Sequence, residues 1–498
     1  MADSATPLEE QPNPSTIAAE AAKPEVAPPK PTRKVRRIVR KKKDKKRDED
    51  ADVVDPALLE KVMLESCLPK AYSFEIVKTL KRINQILQVK QQTNKASADK
   101  NNKSQSVHIA LQMPEGLLLY ATVLSDVLQR LVAATNTNQE SDQPLLRVSV
   151  LGDVTYGACC VDDLGARALG CDLLVHYGHS CLVPIQHTAI PCLYVFVEIT
   201  IDVPHFVECF HQTILAENQK NGLDKDDKPH VYLLGTIQFR HALMEARRLL
   251  RSPPYEYNLT IPQAKPLSPG EVLGCTSPVL AKTPETSSRA VVLFVADGRF
   301  HLESTMISNP QVDKFYRYDP YPKTLTEESY DHIKMKSIRY EAIEKARLKI
   351  SKKKQSSKTA VFGIILGTLG RQGNPALLTK LRNQIQKNNL KSFVVLASEI
   401  TPSKLAFFGK KVDAWVQIAC PRLSVDWGHY LSGDQSVPVL NPYELFVALD
   451  STNKLWRSED ESYPMDYYSQ DGGPWSNYGD AQNKGREFTT EAKVAVGV

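Results

Sequence analysis

The sequence has no apolar run approaching the ~18 residues that a membrane-spanning helix requires. Its first residues, Met1-Ala2-Asp3-Ser4, supply neither the basic nor the apolar stretch of a secretory signal. There is no glycine pattern of the dinucleotide-binding type and no P-loop lysine, so nothing marks a nucleotide cofactor outright. No pair of cysteines has the close spacing that announces a zinc site or the usual radical-enzyme cluster loop. The nine cysteines are odd in number and irregular in spacing, which excludes a disulfide framework. Together these absences imply a protein of a reducing compartment, and a cytoplasmic location is expected.

What is present is ordinary for a soluble globular protein. The 498 residues are 42% hydrophobic and 24% charged, enough for a substantial core and several domains. The net charge of +6 is misplaced evidence for nucleic acid. Residues 33–47 carry eleven Lys/Arg and one Asp, a local +10, so the rest of the chain holds a net −4. A mildly acidic remainder does not suit nucleic-acid binding by the folded core. Residues 1–54 lack a hydrophobic pattern and are expected to be a disordered basic tail. After residue 452 the chain turns to Asp, Ser, Gly and Tyr without periodicity, so 453–498 is expected to be an irregular or disordered tail.

Between the tails a pattern recurs three times. His108-Ile109-Ala110-Leu111, Val231-Tyr232-Leu233-Leu234 and Val361-Phe362-Gly363-Ile364-Ile365-Leu366 are short, β-rich runs. Each is followed by a turn and then a helical stretch. Further strands follow in each unit: Arg147–Leu151 and Leu173–His176, Asn258–Ile261 and Val291–Val295, Phe393–Leu396 and Ala414–Ile418. Strands alternating with helices imply parallel sheets. The fold class is therefore α/β, with three similar parallel-sheet units at 55–227, 228–357 and 358–452. Two helical segments are expected before the first unit's strands, the second capped by Ser73, and residues 324–357 read as one long charged helix.

Three cysteines sit where ligands bind in such folds, at the strand-to-helix turns. Cys159 lies in Gly152-Asp153-Val154-Thr155-Tyr156-Gly157-Ala158-Cys159-Cys160, Cys275 in Leu273-Gly274-Cys275-Thr276, and Cys420 in Ala419-Cys420-Pro421-Arg422. There is one per unit, 116 and then 145 residues apart. Three units packed around a common centre would bring them together, and three thiolates on a four-iron cluster leave one iron open. The plain alternative is that they are small buried hydrophobes, as Cys67, Cys171, Cys192 and Cys209 are expected to be.

Several strings together resemble the diphthamide synthase family. They are Gln112-Met113-Pro114-Glu115-Gly116-Leu117, Asp153–Cys159, His176-Tyr177-Gly178-His179-Ser180, Gly274-Cys275, Asp297-Gly298-Arg299-Phe300-His301 and Val412-Asp413-Ala414-Trp415. The resemblance spans roughly 55–450 and points to the eukaryotic catalytic subunit, because the full cysteine triad is present. It implies that Cys159, Cys275 and Cys420 hold a 4Fe–4S cluster. It further implies a transferase that moves the 3-amino-3-carboxypropyl group of S-adenosyl-L-methionine to a histidine of elongation factor 2. An electron from the cluster would break the Cγ–S bond, and the resulting radical would add to an imidazole carbon. The implied partners are a sister subunit, subunit 2, in a heterodimer, and an iron–sulfur or iron-binding electron-donor protein. A non-catalytic scaffold of the same fold is the alternative. For S-adenosyl-L-methionine the candidate contacts are Gly298 and Arg299 after one strand and Gly367, Thr368 and Arg371 after another. Arg299 offers a fork for a carboxylate, and the glycine turn offers backbone amides. His176 and His179 are either near the cluster or structural.

Overall fold

The three repeats build three separate sheets with one strand order. In this computed structural model the described residues are 54–96, 106–136, 145–153, 160–178, 182–183, 185–280, 289–371, 375–433, 437–457, 461–465 and 473–476. The basic block at 33–47, Cys159 and His179 lie outside them. The first sheet runs Leu146–Val150, Val107–Gln112, Leu173–Tyr177, Cys192–Val195, all parallel. The third runs Lys391–Ala397, Val361–Gly367, Ala414–Ile418, Val439–Leu440, again all parallel. The second places Leu259–Thr260, His230–Gly235, Ala290–Val295 and Lys314–Asp319 in the same sequence, then adds the antiparallel edge Thr324–Glu328. In each sheet the unit's second strand flanks the first, and the third strand lies on the first strand's other side. The order reverses beside the first strand, and at that point a crevice opens beyond the strands' C-terminal ends.

Central strands are apolar along their whole length because helices cover both faces. Leu173–Tyr177 and His230–Gly235 are buried at every position. A separate hydrophobic core serves each sheet: Leu80, Ile109 and Leu128 for the first, Leu233 and Leu293 for the second, Ile364, Val416 and Leu445 for the third. The helix Val203–Asn221 packs through Phe210 on the second sheet, so the second unit begins before residue 228. Gly363 is required by packing, since a Cβ there would lie 2.2 Å from the Trp415 ring.

Three local expectations change. Ser73 is not a helix cap. It pairs as a short strand, Tyr72–Ser73, with Glu198–Ile199, and the helix begins at Ile76. Residues 324–328 are not helical either. Thr324-Leu325-Thr326 suits a pleated edge, and the helix starts at His332 behind an Asp331 cap, whose carboxylate accepts from the Lys334 amide at 2.9 Å. That helix, His332–Gln355, then packs on the third sheet through Met335, Ile343 and Ala346. Its buried Arg339 forms a bidentate pair with buried Glu444 at 2.6 and 2.7 Å. Past residue 453 no helix or strand forms among the described residues, yet Tyr463, Met465 and Trp475 bury their side chains against this third core.

Candidate metal centre

Beside Cys160 and at Cys420 the chain is fixed by polar side chains on the strands beneath it. In the first unit Gln112 ends its strand and turns its amide on the chain beyond Cys159. Its Nε2 donates to the Cys160 carbonyl at 2.6 Å, and its Oε1 accepts from the Asp162 amide at 3.2 Å. Buried His176, at the end of the neighbouring strand, donates from Nδ1 to the same Oε1 at 3.0 Å, so it acts by holding Gln112. Asp162 caps the following helix, Asp163–Ala168, accepting from the Gly165 amide at 2.9 Å. In the third unit Gln417 does the same work: its Nε2 donates to the Cys420 carbonyl at 2.8 Å and its Oε1 accepts from the Ala419 amide at 2.8 Å. The helix Pro421–Ser432 starts at once, with Cys420 as its N-cap residue.

The third unit's turns bind the other two units. Arg422 is buried and reaches into the second unit, where Nη1 donates to the Phe300 carbonyl at 2.8 Å and the Gly274 carbonyl at 3.3 Å. Nη2 pairs with Glu303 and Nε with Asp426 at 2.8 Å, while the guanidinium lies 4.3 Å from the centre of the Phe300 ring. Gly274 must be glycine, because a Cβ there would overlap that ring. Arg422 thus ties the Cys420 turn to the residue next to Cys275. On the other side Arg371 forks onto buried Asp163 of the first unit, with Nε donating at 2.9 Å. Gly370, at φ +63°, lies against the Cys160 backbone so closely that a Cβ would sit 2.7 Å from it.

Sulfur chemistry follows from this enclosure. Burial pushes the Cys420 thiol up to about 11, and the Cys160 thiol nearby pushes the same way. The Arg422 amide and guanidinium oppose that rise without cancelling it. Without metal Cys420 is therefore a neutral thiol, and an iron would have to replace its proton. Among the described residues, which do not include Cys159, no group of three His, Cys, Asp or Glu side chains is placed to hold a metal ion.

Where the first and second sheets face each other, a cavity of about 220 Å³ opens. Pro114, Gly116 and Gly178 line it from one sheet's C-terminal ends, and Gln238, Asp297 and His301 from the other's. The Tyr72 and Tyr321 hydroxyls meet at its rim, 2.7 Å apart. Burial raises the Asp297 carboxyl, and Asp319 adds to the effect while Arg317 and a backbone amide oppose it. Convergent polar groups and a perturbed acid make this cavity a candidate small-molecule site.

The other candidate contacts are disposed differently. Arg299 is about half exposed and engages Glu303 at 2.8 Å, Glu328 at 3.1 Å and the Ser329 carbonyl at 3.0 Å. The Thr368 amide donates to the Ala397 carbonyl at 3.0 Å, and Gly367 is buried at the strand end. Gly298 has open space on its Cα. Arg422, Asp163 and Gln417 escape a reading by motif, and Gln112 stands in a quoted string without its role being legible there. The available signal was an Arg–Asp spacing of four in Arg422-Leu423-Ser424-Val425-Asp426, which favours an ion pair along one helix face.

Comparison with known proteins agrees with this architecture. The family model described as "Putative diphthamide synthesis protein" matches residues 113–461. The chain belongs to the diphthamide synthesis family. It is 45% identical over 414 residues to 2-(3-amino-3-carboxypropyl)histidine synthase subunit 1 of Dictyostelium discoideum, covering 82% of this chain and 74% of that one. It is 44% identical over 436 residues to the Homo sapiens protein of the same name, covering 86% and 84%. Among solved structures, Dph2 from Pyrococcus horikoshii shares the fold, with a TM-score of 0.52 and 24% identity over 76% of this chain and 92% of that one. A second structure of that diphthamide protein contains a 4Fe–4S cluster and gives a TM-score of 0.51 at 23% identity, over 76% and 93% of the two chains. No helix among the described residues is long and apolar enough to cross a membrane.

Proposed function

We propose that this chain is the catalytic subunit of a cytoplasmic 2-(3-amino-3-carboxypropyl)histidine synthase. It transfers the 3-amino-3-carboxypropyl group of S-adenosyl-L-methionine to a histidine of elongation factor 2, as the first step of diphthamide formation. The observation that carries this reading is the Arg422 bridge, which brings the Cys420 turn onto Gly274, the neighbour of Cys275. A tie so well satisfied, between turns that each expose a cysteine, has an obvious use if both sulfurs serve one group.

Cys159, Cys275 and Cys420 would hold a 4Fe–4S cluster, and the buried neutral thiol of Cys420 fits a ligand that gains its charge from iron. When bound, such a cluster supplies the electron that cleaves the Cγ–S bond of the sulfonium. The protein's own part is placement and exclusion of water. S-adenosyl-L-methionine would bind in the cavity lined by Gln238, Asp297 and His301, with the open backbone at Gly298 next in sequence to Asp297. Gly367, Thr368 and Arg371 are further proposed contacts, on the segment whose Arg371 and Gly370 meet the first unit at Asp163 and Cys160. Arg299 reaches a ligand carboxylate only by giving up Glu303 or Glu328.

The reading includes a sister subunit 2 and an iron–sulfur or iron-binding electron donor. The competing reading, a scaffold supporting a cluster-bearing partner, leaves the third unit's buried thiol without a purpose. Anaerobic incubation with dithionite, S-adenosyl-L-methionine and elongation factor 2 tests the choice. Release of methylthioadenosine together with a modified histidine is expected. A chain that binds iron in no preparation, and whose cysteine variants leave the heterodimer fully active, is a scaffold.

A further inference from the structure

A basic concavity lies at the opposite end of the third sheet's strands from Cys420. Lys349, Lys352, Lys353, Lys358 and Lys410 line a cavity of about 860 Å³, floored by Val412, Asp413 and Val437. Strands Val361–Gly367 and Ala414–Ile418 begin beside it and end at the cysteine centre. At ~3.3 Å per residue the two places are roughly 20 Å apart. Nothing in the proposed transfer reaction uses it.

Its charge is out of balance. Asp413 is the one carboxylate lining the cavity among the described residues. It is already engaged, accepting from the Val361 amide at 2.9 Å and facing Lys353 at 3.4 Å. Lys349 is only partly exposed, and its ammonium is held below its ordinary range. Desolvation is the main cause; Lys353 adds to it, and Asp413 only partly compensates. The helix terminus accounts for part of the cluster. Lys352, Lys353 and Lys354 occupy the last turn of His332–Gln355, where cations are favoured by the carbonyl ends. That effect involves about half a charge and fades within a turn, so it does not explain Lys349, Lys358 and Lys410, which converge from other turns and segments.

We propose that this cavity binds a compact polyanion carrying clustered phosphates. Five ammonium groups around one hollow suit several charges held close together. Lysine acts on phosphate as a point charge, without the planar fork that selects single carboxylates. Among the described residues no aromatic side chain lines the cavity, so bases have nothing there to stack on and the phosphates themselves would be read.

Calorimetric titration of the full-length protein with inorganic tripolyphosphate tests this. One-to-one binding is expected, weakening by about tenfold or more between about 50 and 300 mM salt. Lys349→Gln and the double variant Lys358→Gln/Lys410→Gln should each weaken it by about tenfold, whereas the exposed Lys225→Gln in the second unit should not. Lys358 and Lys410 are exposed, so the double variant tests the idea even if Lys349→Gln misfolds. ATP binding as tightly as tripolyphosphate means that the phosphates alone are recognised; tighter ATP binding identifies a free nucleotide as the source. Absence of binding, an equal loss in Lys225→Gln, or tighter binding of an aspartate-rich peptide or single-stranded RNA overturns the proposal.

Discussion

Replacing Arg422 with Met should open the cysteine centre while keeping most of the buried volume. The substitution removes donors to the Gly274 and Phe300 carbonyls, unpairs Asp426 and takes away one of the two arginines on Glu303. Asp426 is already raised by burial, with Arg422 partly restoring it, so losing Arg422 pushes that carboxyl further up. Breaking a buried pair from one side costs roughly 3–5 kcal/mol. At about 1.4 kcal/mol per factor of ten, the undocked arrangement of the second and third units gains roughly a hundredfold to a few thousandfold in population. Two measurements check this: the urea midpoint of the metal-free protein, and iron and sulfide per chain after anaerobic reconstitution. Both should fall in Arg422→Met. An unchanged midpoint with full iron content would refute the reasoning, because it would mean that the cysteine turns hold their positions without the bridge.

Cys275→Ala, Cys420→Ala and Cys159→Ala should each lose iron and transfer activity, while Cys192→Ala should lose only packing, at about 1–3 kcal/mol; iron assays on all four, with full content in any of the first three, would strike that residue from the ligand set. Asp163 should make the junction of the first and third units acid-sensitive. Burial raises its carboxyl, but Arg371 and the Ala189 amide lower it by more, so its folded-state value is depressed. That stabilisation is complete above the ordinary carboxylate range near pH 4 and is lost as pH falls through the depressed value. Asp163→Asn should therefore be less stable at neutral pH and flatter in its acid unfolding profile than wild type. Arg299→Lys should cost under about 1 kcal/mol, given its exposure. It should change S-adenosyl-L-methionine affinity by less than about threefold in equilibrium binding; a tenfold loss would make Arg299 a ligand contact.

Three strand–turn–helix beginnings are legible in the sequence because parallel strands buried on both faces must be continuous apolar runs, as at Val231–Leu234. The position of Cys420 at a strand-end turn follows from the same pattern; Cys275 instead lies in the loop that follows Leu259–Thr260, past a single bridge at Glu271. Two strands away from the sheet centres escape that pattern. Lys314–Asp319 alternates Tyr with charged residues, and Val439–Leu440 is two residues long, too short to show a period. The ties between units escape for a different reason. Arg422 with Glu303, and Arg371 with Asp163, join residues more than a hundred positions apart. Local pattern carries no trace of such a pairing. Arg299 shows the converse: an arginine beside a glycine after a strand looks ligand-facing, and only the positions of Glu303 and Glu328 reveal what it holds.

The Arg371–Asp163 and Arg422–Glu303 ties also set a timetable. Both depend on the third unit, whose arginines are among the last core residues to leave the ribosome. Until Arg422 has emerged and its unit has folded, the earlier cysteine turns lack the surfaces that position them. Long-range closure of this kind is slow and leaves partly formed edges exposed in the meantime. A nascent chain stalled before Cys420 should fold its first sheets yet hold no centre, and metal delivered early would find only isolated thiols. Maturation of this protein is therefore an event of the completed chain.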